Sequence, residues 1–517
     1  MPKRLLSILL PLLILAPLSA QEAWNRSGKE VPKEPVREFQ FIGYYINQLV
    51  ANNVYAENEF LKGQTVGRLF GGNTSTTDNR ATTYVEQRLI PFFIYQPKLL
   101  GGKALLRASF EIDWTWGDVA YGAGGNNGAG LSADQVNLQT QNVELEFLPA
   151  PGWQVNLGLQ RMFDTPYNPY RTFFSTMSET GYRLAFFGTD AAGISVRKEG
   201  DYSRWKGGFY QFYENNIQDR DDVFMWELFH ERDLTPTWRQ GLSFWYVQDR
   251  ASGEGGVSIL SNGLNSLLND YNGTFRFNVG NRPYEADIFW AGTFWSRNPG
   301  FTLGRWLVSG FAIANAGQMR LSGDAEPDAI DILGGGANLR LGYKYGQTAR
   351  DAVTADLIFT SGDDNGISDG EYNGVITGNT WGSPGAIYIS SGAYLLLPHG
   401  NVVNRYIAAV SDLSNLGRGF AGGTVNFSRD IVPNTFYAKL GGAFGVSQTA
   451  PSTGGNLIGT EVNGMIGWQP HVFMNLEFHA AYLALGDFYD SPQLNGGRGD
   501  RPDNPWTAFL VFKWLMF

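Results

Sequence analysis

Residues 506–517 read Trp-Thr-Ala-Phe-Leu-Val-Phe-Lys-Trp-Leu-Met-Phe and are almost entirely apolar. The stretch is too short to cross a bilayer as a helix, which takes about 20 apolar residues, but it is long enough for a tilted β-strand, which takes about 9–11. The ends of soluble domains are usually polar and poorly ordered. The stretch therefore predicts a membrane-spanning β-strand, with a buried edge strand of a secreted β-domain as the alternative.

One residue of this stretch does not fit a uniform apolar face. Counted back from the last residue, the alternate positions are Leu515, Lys513, Val511 and Phe509, so Lys513 places a charge on an otherwise apolar side. A terminal strand that ends in Phe nevertheless resembles the assembly signal of outer-membrane β-barrels. We therefore expect an all-β chain that closes into a transmembrane barrel.

The beginning of the chain has the parts of a secretory signal peptide. Lys3 and Arg4 precede an apolar core, and small residues near position 20 form a cleavage site. We expect residues 1–20 to be removed on export to the outer membrane. Residues 21–38 are then predicted to form a periplasmic tail, and residues 39–517 the barrel.

The composition is compatible with a barrel and excludes other classes. Among 517 residues there are 65 Gly, 14% aromatic residues and no Cys, so no disulfide framework or thiolate metal site is expected. The formal net charge of -10 argues against nucleic-acid binding. Barrel strands alternate apolar and polar residues, so a mean hydropathy of -0.22 is compatible with a lipid-embedded protein.

Apolar and polar side chains alternate between residues 103 and 116. One set is expected to face lipid and the other water. The lipid-facing set is Ala104, Leu106, Ala108, Phe110, Ile112, Trp114 and Trp116, and the water-facing set is Leu105, Arg107, Ser109, Glu111, Asp113 and Thr115. Similar patterns recur at residues 275–279, 339–345 and 474–480, and a slip of parity between Leu138 and Val143 predicts a bulge.

Eight short links, most with Pro or Gly, join paired strand-like runs. Longer Gly-, Asn-, Asp- and Ser-rich segments separate the pairs. Short periplasmic turns that alternate with long extracellular loops are typical of outer-membrane barrels. Eight hairpins, a first strand near residues 39–50 and the final strand predict about 18 strands. The links are Pro97–Gly101, Pro149–Gly152, Glu199–Tyr202, Leu234–Pro236, Asn281–Pro283, Gly346–Asp351, Ile431–Asn434 and Gln469–His471.

Two pieces, residues 305–318 and 401–416, are left inside long outer segments. The second has helix-like apolar spacing and ends before Gly417. A helix in an outer loop can bury its apolar stripe only against the barrel, so we expect residues 361–418 to fold into or over the lumen. An additional strand is the alternative.

The same region carries a resemblance to a known family. Residues 360–365, 369–370, 396–400 and 411–416 form an ordered series of a Ser-Gly-Asp-rich loop, a Pro-His segment and an Asp-containing stretch that ends in Asn-Leu. The series resembles the alginate-export family of outer-membrane barrels. The resemblance implies a monomeric 18-stranded barrel that passes an anionic polysaccharide outward through a lumen rich in Arg and Lys.

The charges predicted to face the lumen are of both signs, unlike those of that family. They predict a porin-like channel for hydrophilic solutes, anionic or saccharide, with selectivity set by inward charges. The predicted lumen residues are Arg107, Glu111, Asp113, Arg276, Glu285, Asp287, Arg340, Lys344 and Lys439, with Asp356 and Glu477 also on polar faces. A plugged structural or adhesive barrel, whose outer loops bind a partner, is the alternative function.

An acidic segment of the long outer loop could narrow the pore or hold a cation. The candidate residues are Asp363, Asp364, Asp369, His399, Arg405 and Asp412. The side-chain oxygens of Asp363, Asp364, Asn365, Asp369 and Glu371 suit Ca²⁺, although EF-hand spacing is absent, and a solvated acidic loop is the alternative. No other cofactor is expected. The four His residues form no evident Ser/His/Asp arrangement, so we predict no catalysis.

Overall fold

The computed structural model describes residues 37–56, 69–70, 75–116, 137–161, 190–214, 219, 221–252, 277, 279–280, 282–323, 327–376, 392–397 and 410–516. The predicted signal peptide and residues 21–36 of the predicted tail lie outside this part of the chain. No helix in the described residues has the length and apolar character needed to cross a membrane.

Nineteen strands follow one another along the described part of the chain. They are β1 Phe39–Ala56, β2 Ser75–Tyr95, β3 Ala104–Trp116, β4 Asn137–Phe147, β5 Trp153–Arg161, β6 Asp190–Glu199, β7 Ser203–Tyr213, β8 Val223–Asp233, β9 Trp238–Asp249, β10 Tyr284–Arg297, β11 Trp306–Leu321, β12 Ala329–Lys344, β13 Ala352–Thr360, β14 Glu371–Tyr372, β15 Phe420–Val432, β16 Phe436–Ser447, β17 Leu457–His471, β18 Met474–Leu485 and β19 Trp506–Met516. Two short 3-10 helices, Lys98–Leu100 and Asp487–Asp490, lie in connections between strands.

All strands except β14 form a closed antiparallel wall, which therefore contains 18 of the 19 described strands. Successive strands pair with each other, β13 pairs with β15, and β19 returns to pair with β1. The closing seam runs from Gly43 opposite Met516 to Asn52 opposite Thr507. The two-residue β14 pairs only with β12, in parallel. The predicted antiparallel barrel of about 18 strands is thus confirmed.

The two ends of the barrel differ in their connections. Eight connections, from β2–β3 to β17–β18, lie at the end where β1 begins and β19 finishes, and most are tight turns. We call this the turn end. The nine connections at the opposite end, the loop end, include the segment between Thr360 and Phe420. Seven of the eight predicted links fall at turn-end connections, within the usual uncertainty of strand limits.

The eighth predicted link, at residues 281–283, is wrong. Phe277 and Val279 do not belong to a strand, and β10 begins at Tyr284. The turn lies instead between Arg297 and Trp306, so the leftover piece 305–318 is strand β11. The prediction thus places a strand at residues 275–279 that is not observed at Phe277 and Val279, and it omits β11. These two errors cancel, so the predicted number of strands is unchanged.

The alternation in β11 explains this error. Its buried, inward side chains include Phe311, Ile313 and Met319, whereas Ala312 and Ala314 are exposed on the outside. Large apolar side chains therefore lie on the inner face of this strand, where the expected pattern has polar residues. The inward side chains belong to a large apolar cluster inside the loop-end half of the barrel.

The predicted bulge in β4 is present, and the described part of residues 401–416 is not helical. The slip of parity in β4 is a bulge, because Ser109 pairs with Asn142 while Phe110 pairs with Thr140. Of the second leftover piece, residues 401–409 lie outside the described residues. Residues 410–416 form bends and turns rather than a helix or a strand.

The charge that interrupts the last strand faces the inside of the barrel. Phe509 and Val511 are buried on the inner face, and Lys513 follows them with its Nζ 3.0 Å from Glu477 Oε2 of β18. Leu510 is 41% exposed on the outer face. The outer face of β19 is therefore uniformly apolar, and Lys513 belongs to the polar inner wall.

Candidate functional site: the inner wall

Strand β3 shows how alternation builds the inner wall. Arg107 is buried on the inside, whereas Leu106 is 42% exposed on the outside. The parity predicted for this strand is therefore present. Glu111 and Asp113 lie further along β3, and their side chains are outside the described part of the structure.

Ion pairs between adjacent strands line the half of the inner wall near the turn end. Arg107 of β3 lies 3.0 Å from Glu144 and 2.8 Å from Glu146, both on β4, and all three side chains are buried. Arg340 of β12 lies 2.9 Å from the buried Asp356 of β13. A buried charge is costly without a partner, so this pairing keeps ionised groups on the wall.

A second group of charges occupies strands β7 and β8. Lys206 pairs with Glu227, which also accepts a hydrogen bond from the Tyr210 hydroxyl at 2.7 Å. Nearer the turn end, Arg204 lies 3.0 Å from Asp233. Basic side chains of β7 thus pair with carboxylates of β8, whereas on the other side Lys206 lies opposite the buried, basic Arg197 of β6 in the strand register.

A third group surrounds Glu477 of β18. Its carboxylate accepts a hydrogen bond from the Tyr437 hydroxyl at 2.6 Å and lies 3.0 Å from Lys513 Nζ. The imidazole Nε2 of His479 lies 3.1 Å from the same carboxylate. One carboxylate thus connects three strands, β16, β18 and β19, around the wall.

Part of the chain between β13 and β15 packs against the inner wall in the loop-end half of the barrel. We call residues 361–419 the inner segment; its residues 361–376, 392–397 and 410–419 are described. Leu395, Leu396 and Leu397 are each at most 1% exposed and join the apolar cluster of the surrounding wall. The interior therefore changes from charged near the turn end to apolar near the loop end.

A single carboxylate of β17 holds the inner segment on one side of the barrel. Glu461 accepts hydrogen bonds from three consecutive backbone N–H groups, those of Tyr394 at 2.7 Å, Leu395 at 2.9 Å and Leu396 at 2.8 Å. Lys439 Nζ of β16 lies 4.6 Å from the centroid of the Tyr394 ring. Charge-assisted bonds of this kind are stronger than bonds between neutral groups.

The inner segment is also held by β10 and β11. Ile376 N donates to Asn315 Oδ1 at 3.1 Å, and Ile376 O accepts from Trp290 Nε1 at 2.8 Å. These two strands lie several positions around the barrel from β17. The described parts of the inner segment are therefore attached to two separated sectors of the wall.

Some of the predicted lumen residues lie on the inner wall, some lie on the outer face, and some lie outside the described residues. Arg107, Arg340 and Lys439 are on the inner wall, and Lys344 has the same parity as Arg340 on β12. Their effect on solute passage stays a prediction. Arg276, His399 and Arg405 lie outside the described residues.

The placement of Glu285 and Asp287 on the lumen side is wrong. Their neighbours Ala286 and Ile288 are fully buried and face inward, so these two carboxylates lie on the outer face of β10 near the loop end. Asp287 lies 3.0 Å from Arg250 there. The cause is again the apolar inner cluster, which reverses the usual alternation.

The acidic residues of the inner segment bind mainly to their own loop. Asp363 accepts backbone N–H groups of Asn365 at 3.1 Å and Asn373 at 2.8 Å, and Asp369 accepts Asn365 Nδ2 at 2.9 Å. Asp412 caps the turn at Ser414 in the same way. No group of three or more His, Asp or Glu side chains in the described residues could hold a metal ion. Cation binding, including any role of Asp364, stays a prediction.

Sequence reasoning missed two features of this wall. Glu144 and Glu146 alternate along β4 opposite Arg107, a signal visible once the β3–β4 hairpin is paired. Glu461 offered no such signal, because its partners are backbone groups more than 60 positions away in the chain.

The closed 18-stranded antiparallel barrel has the fold of solved outer-membrane barrel structures. The structure of OccAB1 from Acinetobacter baumannii aligns with a TM-score of 0.52 at 11% sequence identity, over 95% of this chain and 100% of that one. At this identity the similarity shows the fold alone.

Other solved structures resemble the chain more weakly. OccK2 (OpdF) from Pseudomonas aeruginosa, in complex with glucuronate, aligns with a TM-score of 0.47 at 10% identity over 93% of this chain and 96% of that one. The outer membrane protein opdK of the same organism aligns with a TM-score of 0.47 at 12% identity over 92% and 98%. No protein-family model and no curated protein matches the chain.

Proposed function

We propose that this chain is a porin-like channel of the outer membrane, with its turn end in the periplasm, that lets hydrophilic solutes pass by passive or facilitated diffusion. The observation that supports it most is a closed barrel with an apolar outside and an inner wall that is charged in the half near the turn end. Such a wall accommodates water and polar solutes, whereas the outer face suits lipid.

The proposed solutes are small anionic or saccharide molecules. Each Arg–carboxylate pair on the wall offers a donor fork and an acceptor, which suit carboxylate and hydroxyl groups respectively. The inner segment narrows the interior and so favours small solutes. The alginate-export resemblance implies a larger solute, an anionic polysaccharide. Its passage would require the inner segment to move.

Single-channel recordings of the mature protein in planar bilayers test the proposal. A steady conductance is expected. Arg340→Gln should shift the reversal potential toward cation preference, because Asp356 keeps its charge. The matched variant Asp356→Asn should shift it toward anion preference. Conductance with no shift in either variant would remove this pair from the conducting path, and a silent protein would count against the channel itself.

One observation favours a second candidate function. Leu395–Leu397 pack into the apolar cluster at the loop end, which is compatible with a closed barrel whose outer loops bind a partner. A plugged barrel of this kind would stay silent in bilayers even at high voltage. It would also remain silent after the inner segment is shortened.

A further inference from the structure

Four outward side chains form a row across β5–β8 near the turn end. In the strand register, Trp153 of β5 lies opposite Lys198 of β6, Lys198 opposite Trp205 of β7, and Trp205 opposite His230 of β8. We call these four residues the outer row. Adjacent strands lie about 4.8 Å apart, so the row is continuous across the wall.

The rings and the ammonium group of the outer row are in contact. Lys198 Nζ lies 4.7 Å from the centroid of the Trp153 ring, a cation–π distance. The rings of Trp205 and His230 stack with centroids 3.9 Å apart. Arg232 lies two residues beyond His230 on the same outward face, is exposed, and pairs in register with Ser203 at the start of β7.

Lys198 of the outer row and the neighbouring Arg232 differ from the basic side chains on the inside of the same strands. Inward-facing Arg204 and Lys206 of β7 both pair with carboxylates. Within the described part of the chain, Lys198 and Arg232 make no ion pair. Two cations that face outward without a protein carboxylate leave room for an anion from outside the protein.

The wall next to the outer row, toward the loop end, is apolar and has a gap. The neighbouring register positions are Val155, Val196, Gly207 and Leu228, and Leu228 is 51% exposed. A side chain at Gly207 would meet no heavy atom closer than 4.0 Å. The outer surface of β7 is therefore recessed at Gly207, between the side chains of Val196 and Leu228. This recess lies directly beside the outer row.

We propose that the outer row and Arg232 bind an anionic phospholipid of the membrane leaflet at the turn end. Lys198 and Arg232 contact the headgroup phosphate, Trp153 and Trp205 lie at the level of the glycerol backbone, and an acyl chain lies over Gly207. Arg232, the aromatic rings of the outer row and the apolar recess follow one another along the wall in the order of polarity of a phospholipid, and Lys198 lies between the two tryptophans within the row. A protein partner would not need the apolar recess. The proposal requires the barrel to span a membrane but does not depend on conduction.

The experiment is native mass spectrometry of the full mature protein, purified in detergent and titrated with phosphatidylglycerol. We expect a tightly retained lipid on the wild type. The double variant Lys198→Gln/Arg232→Gln should bind it about tenfold more weakly, the loss expected when charge-assisted contacts to a phosphate are removed. Trp205→Leu, which changes no charge, should also weaken retention.

The matched control is Lys98→Gln/Lys103→Gln, which removes the same charge from two exposed lysines at the β2–β3 turn. This control should retain the lipid as the wild type does, and heat-modifiable gel mobility verifies that each variant is folded. Equal retention by the wild type and the outer-row variant would overturn the proposal. Equal loss in both double variants would also overturn it, since that result indicates attraction by net charge alone.

Discussion

The carboxylate of Glu461 occupies a place that a bound anion takes in many loops. Three consecutive N–H groups converge on it, and the arrangement resembles the backbone concavities that hold phosphate or carboxylate ligands. Here the anion belongs to the wall and the N–H groups belong to the inner segment. Together with Asn463 of the same strand, whose Nδ2 donates to Gly392 O, this carboxylate fixes where the described apolar part of the segment lies.

Glu461→Ala should loosen the inner segment. It leaves three buried N–H groups without an acceptor, each at a cost of about 1–3 kcal/mol. We expect a higher single-channel conductance and faster proteolysis near residues 392–397, with Glu461→Gln intermediate because it retains one acceptor oxygen. Glu231→Ala removes a buried inward carboxylate that contacts Arg204 rather than the inner segment, and it should leave proteolysis there unchanged. Identical proteolysis of Glu461→Ala and wild type would contradict this role.

Asp351, in the β12–β13 turn, makes stability depend on pH. Burial by itself raises the pKa of this carboxyl, but backbone N–H groups of Asp430, Thr348 and Gln347 hold the pKa below its usual value. A lowered pKa in the folded state contributes stability above the unfolded value of about 3.9, and the contribution is lost as the pH falls through the folded pKa.

Asp351→Asn should therefore be less stable than the wild type at pH 7, and the difference should shrink below about pH 3. Urea unfolding in detergent at the two pH values measures this. Asp201→Asn, at an exposed aspartate of the β6–β7 turn, is the control and should change little. An equally large difference at both pH values would show that the carboxylate charge of Asp351 is not responsible.

At the scale of elements, neither turn chemistry nor alternation is sufficient alone. Residues 298–300 read Asn-Pro-Gly and mark the turn between β10 and β11, but Asn-Arg-Pro at residues 281–283 is also a turn signal and, together with alternation at residues 275–279, predicts a misplaced hairpin. Alternation reports which face is apolar, not which face points inward. It predicted β3 and β18 correctly, and it failed for β11 because apolar loop residues cover the inner face there.

Asn298 holds the turn that alternation missed. It has a positive φ of 51°, its Nδ2 donates to Gly304 O and Trp306 O at 3.0 Å each, and its Oδ1 accepts from Leu303 N at 2.9 Å. Asn298→Ala should destabilise the barrel by about 1–3 kcal/mol, because it loses these bonds and strains the backbone.

Asn298→Gly separates the two causes, since glycine tolerates the positive φ but restores no hydrogen bond. It should lie between the wild type and Asn298→Ala in urea unfolding. Asn434→Gly is the control, because Asn434 also has a positive φ, of 58°, but its side chain makes no hydrogen bond among the described contacts. Equal effects at both positions would mean that the side-chain bonds of Asn298 contribute nothing.

For the whole molecule, the two halves of the interior have opposite character. The charged half near the turn end follows from strand parity and was largely predictable, as Arg107 and Arg340 show. The apolar half near the loop end depends on long-range contacts between the inner segment and distant strands, as between Ile376 and Trp290. Such contacts leave no periodic signal in either partner, so the position of the inner segment could be expected only in general terms.

Replacing residues 363–416 with a short Gly-Ser link tests whether the apolar half of the interior limits conductance while the charged half sets ion selectivity. The strand ends can accept it, because Thr360 pairs with Phe420 and Asp363 N donates to Gly417 O at 2.7 Å. The barrel should still close, since no wall strand is removed. Conductance should rise several-fold, while the opposite selectivity shifts of Arg340→Gln and Asp356→Asn persist, because those charges belong to the wall. A shortened protein that is folded by gel mobility but remains silent would instead favour the plugged barrel and direct attention to the remaining outer loops.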